Sequence, residues 1–108
     1  MKATFGEYIR QLRTDKGLTL TQLAAQLDLD SANLSKIENG KRPFDEKRLQ
    51  KLADALEIDF DTVTTEYYSD LIALKLYQSN CHEDILLLAA QKVKYLRQKN
   101  SKQTQFKF

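Results

Sequence analysis

Apolar residues recur along this chain at helical spacing, and no run of Val, Ile and Thr alternates cleanly enough for a strand. Phe5, Ile9 and Leu12 fall on one stripe, and Gly17 is the residue type that ends such an element. Thr19 predicts the cap of a second helix over 20–27, with Leu20, Leu23, Ala24 and Leu27 turned inward. Asp28-Leu29-Asp30 breaks it. Asp30 then caps a third helix over 30–39, whose inner face is Leu34 and Ile37 and whose stop is Asn39-Gly40. Pro43 and Phe44 precede Asp45, the next cap, and Phe44 can staple the entry of a fourth helix striped by Leu49, Leu52, Ala53 and Leu56. Asp59 or Asp61 caps a fifth segment that begins around Phe60 and runs past Val63, Tyr67 and Tyr68 to Tyr77. Asn80 predicts the cap of a last helix through Ile85, Leu88, Ala89, Val93 and Leu96, with Glu83 and Asp84 in its first turn, where carboxylates suit the dipole. Residues 100–108 read as a loose tail.

The expectation is an all-α chain, and its third helix poses the chemical question. Two apolar anchors are too few for an element that exists to build a core. Its other positions carry Ser, Asn and Lys, all hydrogen-bond donors.

Composition narrows the answer. A chain of 108 residues suits one domain, or a small domain with an appendage. Its 42% hydrophobic content supports a modest core, and 30% charged residues point to a soluble protein. The longest apolar run, residues 85–90, is far short of a membrane span, and the N-terminus lacks the apolar stretch of a signal peptide. Cys81 is the lone cysteine, which fits a reducing cytoplasm. Lys/Arg and Asp/Glu balance over residues 1–59, and the surplus of the second half lies from Lys92 onward. Any nucleic-acid binding must therefore come from a local patch with specific contacts.

Gly17-Leu18-Thr19, Leu23-Ala24, Leu27 and Ile37-Glu38-Asn39-Gly40 stand in the register of the Cro/phage-repressor (XRE-type) helix-turn-helix family, and residues 5–63 resemble it. The opening residues 5–13 and Tyr68-Ser69-Asp70-Leu71 also look like small regulators encoded beside restriction–modification genes. The resemblance implies a five-helix repressor-type DNA-binding domain over 5–63, with its helix-turn-helix at 20–39. Beyond it come C-terminal helices over 64–99 for dimerisation, and the tail. It further implies that the third helix lies in the major groove of double-stranded DNA with its N-terminal residues at base edges. On that footing Ser31, Ala32 and Lys36 look like base readers, with Lys36 donating to guanine and the Ala32 methyl meeting a thymine methyl. Asn39, Lys41 and Arg42 match positions that grip phosphate, and Thr19 and Thr21 sit at a helix start that suits one. Asn33 and Ser35 share the free face and the groove. The bland reading of all these residues is a solvated face and a charged loop.

Two positions depart from the family pattern. Leu20 stands where a phosphate-binding Gln is usual, which weakens part of the backbone grip. Asp28 fills the turn that is usually Gly, a left-handed position that Asp tolerates better than most residues. Arg13 and Glu38 match a pair that forms a largely buried ion bridge, and belong to structure rather than to the site.

Nothing assembles a catalytic set, so the chain reads as no enzyme. His82 is the only histidine, which leaves a metal site without partners, and no cofactor or small-molecule motif is present. Residues 60–98 are apolar on more than one stripe. The surplus stripe implies a second copy on a palindromic operator, with Leu71, Leu74, Ile85 and Leu88 in the interface. Alternatively, the two helices bury one another in one chain. A different function is also open: an antitoxin whose C-terminal segment binds a toxin protein.

Overall fold

The computed structural model describes residues 4–102, with side chains through residue 100. Its helices are α1 (Phe5–Asp15), α2 (Leu20–Gln26), α3 (Ser31–Glu38), α4 (Leu49–Leu56), α5 (Phe60–Gln78) and α6 (Ile85–Lys102), with a 3₁₀ turn at Glu46–Arg48 leading into α4. No strand occurs among the described residues. The all-α expectation holds, with six α-helices among the described residues.

Polar side chains set the helix starts. Thr4 and Glu7 form a reciprocal capping box on α1, and Thr19 and Gln22 form another on α2. Asp30 accepts from the Asn33 backbone N–H to start α3. Asp59, not Asp61, takes the cap of α5: its Oδ2 accepts from the Thr62 N–H at 3.2 Å. Asp45 caps the 3₁₀ turn, so the predicted fourth helix begins one turn late, at Leu49.

Five helices stop by one device, a left-handed residue followed by a chain reversal that satisfies the last carbonyls. Gly17, Asp28, Gly40, Glu57 and Asn80 have φ of 73°, 58°, 76°, 56° and 55°. After each, the next backbone N–H reaches back to the final turn, as from Leu18 to Arg13 O at 3.0 Å and from Cys81 to Leu76 O at 2.9 Å. This corrects the reading of Asn80: it terminates α5 rather than capping α6. Glu83 and Asp84 accordingly lie in the turn before Ile85, not in the first turn of α6. Residues 100–102, read as tail, are the last helical turn of α6, and the remainder of that tail lies outside the described residues.

The chain divides into two compact units between Ile72 and Ala73, within α5. In the first, α3 packs on α1 and α2, and α2 on α4. Ile9, Leu23, Leu27, Leu34, Leu52 and Val63 are fully buried at its centre. Each such aliphatic side chain contributes roughly 1.5–3 kcal/mol relative to exposure. Phe44 joins Phe5 and Tyr67 in an edge-to-face cluster with centroids 5.3–6.4 Å apart, and the Tyr67 hydroxyl donates to Phe44 O at 3.2 Å. Burial raises the pKa of that phenol. Gly6 is buried because α1 and α3 touch there: a Cβ would collide with the carbonyl oxygens of Ile37 and Glu38. The second unit holds the end of α5, the Asn80 turn and α6, whose side chains are exposed through residue 100.

Candidate nucleic-acid interface

The free face of α3 follows from what is buried. Leu34, Ile37 and Glu38 fix one side of the helix to α1 and α2. With about 100° of turn per residue, positions 32, 36 and 39 must then face away. Ser31, Ala32, Lys36 and Asn39 are exposed, and so are Lys41 and Arg42 in the loop that follows. Lys36 and Lys41 make no side-chain hydrogen bond or ion pair among the described residues, so their ammonium donors are unspent. Asn33 and Ser35 are half-buried on the two flanks.

The turn into α3 is braced from outside. Arg48 donates from Nε to Leu27 O at 2.8 Å and from Nη1 to Asp45 Oδ2 at 2.9 Å. Asp28, left-handed in that turn, pairs with Lys51 of α4. The hydrogen bond from Lys51 holds the Asp28 carboxyl below its ordinary value, with the lysine charge adding to the effect. The position usually given to glycine therefore carries an anion tied to α4. Leu20, at the start of α2, is half-buried and packs against the core. Beside it, the Thr19 hydroxyl accepts from Gln22 N–H at 3.0 Å, and Thr21 is exposed.

The far end of α3 is held by a charge cluster around the buried Glu38 carboxylate. Arg13 meets Glu38 through two bonds, Nε to Oε2 at 2.7 Å and Nη2 to Oε1 at 3.1 Å. The hydrogen bond to Glu38 raises the Arg13 pKa further, so the guanidinium stays charged. Arg10 reaches the same carboxylate at 3.3 Å from Nε, and its Nη2 donates to Asn39 Oδ1. Sequence reading missed Arg10 and Arg48. Nothing in the spacing of an exposed arginine marks which distant carbonyl or amide it will find.

Comparison with known proteins places this geometry. Residues 9–63, just over half of the chain, match the helix-turn-helix family. The transcriptional repressor RghR of Bacillus subtilis is 42% identical over 59 residues, which are 54% of this chain and 44% of RghR. The chain thus spans less than half the length of that relative. The restriction–modification controller protein C.AhdI from Aeromonas hydrophila is 37% identical, with a TM-score of 0.51 over 55% of this chain and 89% of its own. The biofilm master regulator SinR, solved in complex with DNA, is 27% identical, with a TM-score of 0.50 over 56% of this chain and 98% of its own. With its two capped helices, its tight turn and the match over residues 9–63, this chain belongs to the helix-turn-helix family of the phage-repressor (XRE) type.

Proposed function

We propose that this protein is a transcriptional regulator, a repressor or controller, that binds specific double-stranded DNA as a homodimer on a palindromic operator, in the cytoplasm and without catalysis. The observation that carries the reading is α3: a helix anchored by Leu34, Ile37 and Glu38, whose opposite face is exposed and rich in unspent donors. Laid in the major groove, it offers Ser31, Ala32 and Lys36 to base edges. Asn39, Lys41 and Arg42 after it, and Thr19 and Thr21 at the start of α2, supply phosphate contacts, with Asn33 and Ser35 alongside in the groove. The similarity to a named repressor and to a regulator solved on DNA supports the same reading.

Support for two copies comes from apolar exposure. Leu71, Leu74, Ile85 and Leu88 are 42%, 40%, 44% and 54% exposed, a poor arrangement for side chains left in water. These four are assigned to the dimer interface. No described helix is long and apolar enough to cross a membrane.

The test is selection of bound sequences from a random DNA pool, followed by footprinting. The reading requires one enriched motif, built as two inverted halves. Recovery of unenriched DNA would refute it.

A further inference from the structure

Asn33 lies in the first turn of α3, among residues assigned to base edges, yet its carboxamide is already occupied. Nδ2 donates to Asp30 Oδ2 at 3.2 Å, and Oδ1 accepts from Arg42 Nη1 at 2.7 Å. Asp30 Oδ1 also accepts from the Asn33 backbone N–H at 2.7 Å, so the cap and the amide hold each other. A carboxylate can only accept and a guanidinium can only donate, so these partners dictate which way the amide points. Arg42 belongs to the loop after α3, but its guanidinium folds back along the helix flank to that first turn. With Asn33, Asp45 and Arg48 it lines a cleft of about 150 Å³ whose remaining walls are Leu29, Ile37 and Pro43.

We infer that Asn33 serves DNA binding indirectly, as the positioning residue of Arg42. The inference rests on the DNA-binding reading above and refines it: Asn33 leaves the contact set, and the relay Asp30–Asn33–Arg42 takes its place. An exposed arginine in a loop loses side-chain freedom when it grips a phosphate. Held beforehand by Asn33, Arg42 loses less. The bond to Asn33 uses one of its five N–H donors, leaving the rest for phosphate oxygens. The half-buried flank position of Asn33 fits this role and not that of a base reader, because Ala32 and Lys36 hold the outward positions.

The test titrates wild type, Asn33→Ala, Arg42→Ala and the double variant against the sequence selected from the pool, at several salt concentrations. Helicity and melting temperature of each variant are measured alongside. Arg42→Ala is expected to weaken binding about tenfold on every site variant, and to flatten the slope of log K against log salt by about 0.9. Asn33→Ala should give part of both effects, about threefold in affinity, leave base preferences unchanged, and add nothing in the Arg42→Ala background. In the free protein, nitrogen relaxation at Arg42 Nε should report an ordered side chain that Asn33→Ala releases. A changed preference at one base pair, losses that multiply in the double variant, or Arg42 equally ordered in both proteins would each overturn the inference alone. A wild type that selects no DNA overturns the DNA-binding reading beneath it.

Discussion

Arg13 of α1 and Glu38 at the end of α3 form a two-bond ion pair in which the glutamate side chain is 1% exposed. The same guanidinium donates from Nη1 to Leu18 O at 2.9 Å, so one arginine ties α1 to both the following turn and the end of α3. Removing one partner leaves a poorly compensated charge. Glu38→Ala is expected to lower unfolding free energy by about 3–5 kcal/mol in urea titrations. A loss below about 1 kcal/mol would show that the pair is not a structural requirement.

Gly6 is the point where α1 touches α3. Gly6→Ala meets backbone rather than a yielding side chain, so it should push the two helices apart and cost about 3 kcal/mol, the upper end of overpacking penalties, despite alanine being the better helix former. Gly17 provides the contrast. A Cβ there would stand in open space, and Gly17→Ala is penalised only through its left-handed backbone, φ 73°, by about 1 kcal/mol. The pair of urea midpoints distinguishes crowding from conformational strain; equal losses would contradict the argument.

Acid should weaken the fold through two left-handed residues. Hydrogen bonds from Lys51 to Asp28 and from Lys16 to Glu57 hold both carboxyls below their ordinary values. A folded-state pKa below the unfolded one gives stability that is present above the unfolded value, about 4, and is lost as pH falls through the folded value. The sign is therefore a decline on acidification below about pH 4. Both groups are exposed, so the effect is small. Asp28→Asn with Glu57→Asn keeps side chains in these positions without the titration, and should flatten the dependence of stability on pH in that range. An unchanged slope would refute the assignment.

Lys36 carries the specificity prediction. Lys36→Ala should weaken binding to the selected site by about 1–3 kcal/mol and relax preference at one base pair. The measurement is a panel of single-base variants of the site. Uniform weakening across the panel would make Lys36 a phosphate contact instead.

One recognition helix reads only a few base pairs, too few to single out a site among roughly a million competitors. Two copies on a two-fold axis meet that need if their α3 helices sit about 34 Å apart. Leu74→Asp and Leu88→Asp, each checked for helicity, should shift sedimentation from dimer to monomer and weaken binding to the palindrome. A wild type that stays monomeric at micromolar concentration and occupies a half-site would assign the exposed leucines to another protein.

What the sequence determined by itself is local. A cap needs only Thr19 and Gln22, or Asp30 and the N–H three residues on, so α2 and α3 began where their residue types predicted. Stripes such as Leu49, Leu52, Ala53 and Leu56 name their own buried face, and all four are buried. Stops written in glycine were legible for the same reason. Stops written in Glu57 and Asn80 were not, because both residue types are also at home in or before a helix. Of the contacts that join distant positions, Arg13 on Glu38 was anticipated through the family resemblance. Tertiary structure decided the others: Arg10 on Asn39, Arg48 on the turn between α2 and α3, Arg42 on Asn33, and Gly6 against the carbonyls of α3. Spacing along a chain sets the phase of a helix. Which long, flexible side chain meets which carbonyl depends on how helices cross, and that crossing is fixed only once the core has packed.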